Sequence, residues 1–494
     1  MKKLGIIILV CLCVTFSNAQ KKTITLSLES TIELACDSSL EAFRIQNSYW
    51  ISSWQYTVYK ANRLPSLFLE LTPGEYYRNI IKRYDYNSNM DVYRPQQSFE
   101  ARGGLSINQN FDWLGGTFFI NSDLTYNRNF GDNTYTQFTS VPFRIGYQQS
   151  LIGFNSFKWE KKIEPLKFKK AKKQLIYDIE NISAVASNYF FQIAMAQEEY
   201  NLALENTKNM DTLYSIALER AKIVAISQTD LQTLRLDRLN AYNSLENANI
   251  NLKRAKFNIV SYLNIDKDVE VSIILPDHPK TFSIPIEKAL KEAQNNNPSL
   301  IGYKQNILEN QRTVDQKHKE SLFNASFYAS MGFNQAASRF SLAYQDLMRQ
   351  DVLSLKITVP LVDWGVRKGE YNMAKNNLNI AEISAKQGEE SLEEDVMMTI
   401  ADFEIQKKGI VTTQEAMSLS NDIYAQEMQR FIIGKADLNT LTLAHQRVQN
   451  ARKNYISSLA NYWSSYFKIR KLTLYDFEND LPLNYMIENK ILNK

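Results

Sequence analysis

From Leu175 onward, apolar or small residues recur at positions 175, 179, 182, 186, 189, 193, 196, 200 and 203, a strict alternation of four and three. A seven-residue repeat held over that many turns specifies a long helix with a narrow seam that packs knobs into holes. Three more runs keep the same spacing: Ala241 to Tyr262, Leu392 to Ile410 and Ala444 to Ile469. No Pro or Gly interrupts residues 166–223, so that helix reaches about 85 Å at ~1.5 Å per residue. Ordinary globular helices run about 8–20 residues. The length of 494 residues would ordinarily suggest about three domains, but helices of this length do not fit inside compact globules. The seams are rich in Ala, Ser and Tyr, and a second apolar set lies off them: Leu202, Leu213, Leu218, Ile223, Leu231, Leu236, Leu239 and Ile250. A broad apolar surface of that kind suits a helix with neighbours on two sides, as in a wide ring. The alternative is an elongated periplasmic coiled-coil scaffold or adaptor.

The chain also repeats itself. Leu28 and its neighbours match Ile286 and its neighbours at an offset of 258, and Asp230-Leu231 matches Asp437-Leu438 at an offset of 207. The first repeat therefore carries about 51 additional residues between its opening helix and its tip. Residues 20–265 form the first repeat and 286–475 the second. Residues 266–285, with Pro276, Pro279 and Pro285, form a linker, and 476–494 reads as a polar extended tail.

Residues 1–19 read as a secretory leader: Lys2 and Lys3, an apolar stretch from Leu4 to Phe16, then Ser17-Asn18-Ala19. Elsewhere no stretch reaches 18 apolar residues, so no transmembrane helix is predicted. Removing the leader takes two Lys and no acid from 57 basic and 53 acidic side chains, leaving a formal +2. That near-balance gives no reason to propose nucleic acid as a partner. Cys36 is the one cysteine beyond the leader and reads as a small buried helix residue.

Closed β-barrels are the other structures that span membranes, and the strands have that patterning. Phe323, Ala325, Phe327, Ala329, Met331 and Phe333 alternate with Asn324, Ser326, Tyr328, Ser330, Gly332 and Asn334. Leu353, Leu355, Ile357, Val359 and Leu361 repeat the pattern. In the first repeat, strands are predicted within about 66–149, around Leu67, Leu105, Phe118 and Val141. The additional residues match one extra hairpin. At most six strands cannot enclose a pore in one chain, so several subunits must pool them. His278, His318 and His445 are scattered, and no phosphate loop, nucleophile elbow or zinc motif is present. Nothing points to an enzyme or to a cofactor.

On these residues the chain resembles the outer membrane efflux protein family, the TolC-like channels. The resemblance is carried by the opening helices at Leu28 and Ile286, by Asn297-Pro298, by Arg63-Leu64-Pro65-Ser66-Leu67, by Val359-Pro360-Leu361-Val362-Asp363-Trp364-Gly365-Val366-Arg367, and by Gln149-Ser150-Leu151 with Gly153. It implies an α+β membrane channel. Three identical subunits would each give four strands to a shared 12-strand outer-membrane β-barrel, continued by a long periplasmic α-helical barrel with a small equatorial domain. It further implies a Gram-negative outer membrane, a periplasmic adaptor (membrane fusion) protein and an inner-membrane RND or ABC transporter as partners, and drugs, metals or secreted polypeptide as cargo.

The family's tip pattern is similar to Arg430-Phe431 through Gly434-Lys435, Asp437 and Thr440, with the Gly-to-Asp interval three residues shorter. The first-repeat tip, Arg220 through Ser227 and Asp230, keeps the longer interval and has Val224 where Gly is usual. The resemblance thus implies a periplasmic aperture or adaptor contact at Asp437, Thr440, Lys435, Gly434, Phe431, Arg430, Asp230, Ser227 and Arg220. Asp437 falls on an acidic constriction, and Thr440 replaces its second acid. A ring of carboxylates there would attract cations and raise at least one apparent pKa. Read without the family, Asp437 and Asp230 are helix-cap carboxylates. Arg220 and Arg430 are then solvated helix-end charges or members of tip ion pairs.

Overall fold

A computed structural model describes residues 23–113, 115–130, 134–222, 226–276 and 282–483. The predicted leader, Ile223, Val224, His278 and the last residues of the C-terminal segment lie outside them. In chain order the elements are β1 (Thr23–Leu26), α1 (Leu28–Ser38), α2 (Leu40–Ala61), β2 (Ser66–Asp85), β3 (Met90–Asn110), β4 (Thr117–Phe130), β5 (Tyr135–Ser150), α3 (Ser156–Lys222), α4 (Gln228–Leu263), β6 (Glu270–Ile273), α5 (Ile286–Asn296), α6 (Pro298–Ser321), β7 (Asn324–Ala337), β8 (Met348–Thr358), α7 (Val366–Ile432), α8 (Leu438–Thr473), β9 (Tyr475–Asp476) and β10 (Leu481–Pro482).

The duplication is tighter in the helices than in the sequence. Helices α3 and α7 have 67 residues each, and α4 and α8 have 36 each. The offset is 258 at α1 and α5 but 210 at the long helices, so the first repeat is longer by 48 residues, not about 51. These lie between α2 and α3, where the first repeat has four strands and the second has two.

The chain forms two compact units, and each draws on both repeats. One comprises residues 49–172 and 298–391. It holds a single antiparallel sheet in the order β2-β3-β4-β5-β7-β8. Directly opposed residues share a face of a sheet. Leu67, Ile107, Ile120, Ile145 and Met331 are opposed in succession. They belong to a mostly apolar face that also carries Leu69, Leu105, Phe118, Tyr147, Ala329, Leu353 and Leu355, with Arg128, Arg349 and Asp351 as its charged members in β4 and β8. The other face carries an ionic cluster, in which Asp123 pairs with Arg102 at 3.7 Å and with Arg144 at 3.5 Å, beside a buried Phe119 stacked on Tyr328. Many apolar-face side chains are open to solvent in the single chain, Leu69 at 64% and Leu353 at 78%, which marks a surface built for another environment. Below the sheet, Arg63 ties α2 to the turn between β3 and β4 and to the start of α3. It reaches Asp112 Oδ2 at 3.0 Å and the Phe157 carbonyl at 3.2 Å, and it lies over the Tyr59 ring.

The other unit comprises residues 1–48, 173–297 and 392–494. Its core is built from the heptad seams: Leu175, Ile182, Ala186, Ile193, Ala241, Ile259, Val396, Phe403 and Ile469 are buried. Phe403 meets Tyr462 and Phe282 at ring distances of 5.0 and 5.3 Å. The second apolar set divides. Leu202 and Leu213 are buried, whereas Leu236, Leu239 and Ile250 on α4 are exposed. The linker is not featureless, because β6 pairs in parallel with β1. The C-terminal segment is not an extended tail over its described part. Strands β9 and β10 pair, and Leu474, Tyr475, Phe477 and Leu483 are buried. Cys36 is half-buried on α1. Arg470 sits between Glu180 at 2.9 Å and Asp476 at 3.3 Å, and the Tyr466 hydroxyl donates to Asp476.

Candidate functional site

The residues singled out as an aperture meet where α3 passes to α4 and α7 passes to α8. Beneath them, Leu213, Ala217, Leu234, Phe431 and Leu441 form a buried cluster. Phe431 is therefore packing inside the tip and is buried within the chain.

Helix α7 ends in a Schellman turn. The Lys435 N–H donates to the Arg430 carbonyl at 2.8 Å and the Gly434 N–H to the Phe431 carbonyl at 3.0 Å. Gly434 has φ +74°, a conformation that requires glycine or costs backbone strain. Arg220 completes the cap from the other repeat: its Nη2 donates to the Ile432 carbonyl at 3.1 Å, and its guanidinium lies over the Phe431 ring. The cation thus sits at the negative end of the α7 dipole. Arg220 thus serves the end of α7, and among the described residues it makes no ion pair with the tip acids. Arg430 does form an ion pair, with Glu427 one turn back on its own helix at 2.6 Å.

The starts of α4 and α8 correct the sequence pairing. Asp437 caps α8, accepting from the Thr440 N–H at 2.7 Å. Ser227 caps α4, accepting from the Asp230 N–H at 3.0 Å while its hydroxyl donates to the Asp230 carboxylate at 2.7 Å. Asp230 is the in-helix partner of the cap and not the cap itself. Ser227 therefore corresponds to Asp437 and Asp230 to Thr440. Five residues separate the helices at both tips, so the second turn is not the tighter one. The Thr440 N–H, with the Thr440 hydroxyl, holds the Asp437 carboxyl below the usual carboxylate range. Within one chain the shift is thus opposite to the rise that a crowded acid ring would produce. Asp437, Thr440 and Lys435 are exposed.

Two networks have no local sequence signature. Asp211 on α3 accepts from Arg238 Nε at 2.6 Å and from the Tyr242 hydroxyl at 2.9 Å, both on α4. Arg452 on α8 reaches Glu205 and Glu198 on α3. The charges were visible, but their partners lie on other helices. Among the described residues no group of three or more His, Cys, Asp or Glu is arranged to hold a metal ion, and no helix is long and apolar enough to cross a membrane.

Residues 289–473 match the family described as outer membrane efflux protein. No curated protein matches the sequence. Among solved structures, this family match is accompanied by likeness to the CmeC outer membrane channel of Campylobacter jejuni. Identity is 14%, with 90% of this chain and 85% of that one covered and a TM-score of 0.64. A membrane protein of Pseudomonas aeruginosa shares 13% identity over 90% of each chain, TM-score 0.64. The outer membrane protein VceC of Vibrio cholerae shares 11% over 90% of this chain and 95% of its own, TM-score 0.63. At such identities the likeness establishes the fold.

Proposed function

We propose that the protein is the outer-membrane exit duct of a multidrug efflux or type I secretion assembly. It acts as a passive homotrimeric channel and not as an enzyme. The observation that carries this reading is the six-stranded sheet, one face of which is mostly apolar and solvent-exposed in the single chain, with open edges at β2 and β8. A periplasmic coiled-coil scaffold has no use for such a face. The exposed apolar residues of α4, Leu236, Leu239 and Ile250, supply contacts for neighbouring subunits of a helical ring. The family match and the fold support an outer-membrane location in a Gram-negative bacterium with helices in the periplasm. They also support docking of an adaptor and an RND or ABC pump at the exposed tip residues Asp437, Thr440, Lys435 and Asp230.

The test is membrane fractionation followed by gels of heated and unheated samples. The expected result is an outer-membrane oligomer that dissociates on heating. A soluble periplasmic protein with no heat-modifiable oligomer refutes the proposal. For the tip, Asp437→Asn keeps a capping side chain and removes the charge, so the helix survives. Single-channel cation selectivity is expected to fall, and an unchanged selectivity removes Asp437 from the permeation path.

A further inference from the structure

We infer that all six strands of each chain belong to the membrane wall. Edge β8 of one copy pairs with edge β2 of the next, so three copies close an 18-stranded barrel in place of a 12-stranded one. The inference rests on the trimeric-channel reading and extends it to the contact between copies.

The first observation concerns the additional hairpin. All fourteen residues of β4 pair with β3, from Thr117 opposite Asn110 to Phe130 opposite Gln97. Strand β4 therefore offers no free edge to a neighbour, and the hairpin cannot stand aside from the wall. Its residues also extend the apolar face, with Arg128 lying over the Phe130 ring within the belt. An aromatic belt runs along the apolar face through Tyr76, Phe130, Phe99, Tyr126 and Phe138, with ring contacts of 5.1–6.3 Å across β2, β3, β4 and β5. A second belt, Phe111, Phe118 and Tyr147, lies at the other end of the strands. Leu105, Ile107, Ile120 and Leu124 lie between them, together with Ser122 and Ser140. Two aromatic girdles flanking an apolar band are what a bilayer selects on a spanning sheet.

The second observation is that the two edges fit each other. Six alternating strands leave β2 and β8 running oppositely, so pairing between copies is antiparallel like every other pair in the sheet. An open edge in hydrocarbon leaves each unpaired N–H and C=O unsatisfied, so closure is obligatory. Ser66 lies in one row with Asn108, Phe119, Gly146, Ser330 and Val352. Strand β8 runs six residues past Val352, to Thr358. Setting Thr358 opposite Ser66 of the next copy aligns the two strand ends that join helices. Leu67 then faces Ile357, Leu69 faces Leu355 and Leu71 faces Leu353, while Phe68 and Glu70 face Lys356 and Ser354. A slip of one residue reverses every side chain. A shift of two the other way reaches Pro360, which has no N–H to donate.

The third observation is that this register closes geometrically. A stagger of six residues per copy gives eighteen over eighteen strands. With ~3.3 Å per residue and ~4.8 Å between strands the tilt is about 35°, within the ~35–45° of membrane barrels. The barrel is then about 34 Å across, against about 23 Å for twelve strands at the same tilt.

The test places cysteine pairs in a Cys36→Ser background and applies mild oxidation to outer membranes. Phe68→Cys with Lys356→Cys, and Glu70→Cys with Ser354→Cys, are expected to convert most chains to covalent dimers and trimers on non-reducing gels. The slipped pair, Phe68→Cys with Leu355→Cys, is expected to leave them monomeric. Asn121→Cys with Ser354→Cys reports a four-strand wall, in which β4 would meet β8. Cross-linking of that pair overturns the inference, as does failure of the two β2–β8 pairs when the Cys36→Ser parent still forms its heat-modifiable trimer. A parent that forms no oligomer refutes the channel reading itself, and the wall with it.

Discussion

Arg470 shows how much one residue can hold together. Burial pushes the Glu180 carboxyl up, and Arg470 opposes that rise. Burial also raises Asp476, but there the Arg470 charge and the hydrogen bonds from Asn479 and Tyr466 prevail and hold it below the usual carboxylate range. Arg470→Met strands both carboxylates without a cation and is expected to cost about 3–5 kcal/mol, measured by chemical denaturation. Because the folded pKa of Asp476 is depressed, its contribution is complete above the unfolded value near 4 and is lost as pH falls through the folded value. The stability gap between the parent and Asp476→Asn should therefore shrink in acid. A gap that widens there contradicts the sign. Arg220→Gln removes the cation from the α7 terminus and is expected to lower stability by about 1 kcal/mol. An unchanged melting temperature would show that the Ile432 carbonyl is as well served by water.

The sheet and the long helices differ in how openly the sequence declares them. The alternation around Phe327 and the heptads through Ile193 and Phe403 depend on nearby residues, and they become β7, α3 and α7. The helix caps were harder. Asp230 and Asp437 share a dipeptide, yet only Asp437 caps, because Ser227 lies three residues earlier and takes that place on α4. On β2, Leu69 lies on the apolar face and Glu70 on the polar one. Leu69→Arg is expected to cost about 2–4 kcal/mol near the bilayer midplane and to reduce the heat-modifiable oligomer several-fold. Glu70→Arg should assemble normally. Equal tolerance of both would place β2 outside the membrane.

At the scale of the whole molecule, single-chain burial leaves many apolar side chains uncovered. Among them are Leu236, Leu239 and Ile250 on α4 and Met398, Ile405 and Leu419 on α7. In the proposed trimer, such residues on otherwise well-packed helices supply contacts with other copies. Leu239→Asp with Ile250→Asp should reduce the recovered oligomer while helix content, followed by circular dichroism, stays unchanged. Loss of helix content would instead assign these residues to the fold of one chain.

Sequence by itself determined the periodic features: four long helices, the strands, the duplication and the apolar alternation of the strands. Each is a repeat that neighbouring residues impose through backbone geometry and side-chain direction. Tertiary structure alone decided which residues become partners across the chain. It moved the tip alignment from an offset of 207 to 210, placed Arg220 on the end of the opposite repeat's helix, and buried Arg470 between two acids. It also put β2 and β3 into the same sheet as β7 and β8. Those outcomes depend on contacts between residues tens to hundreds of positions apart, and no local pattern encodes them.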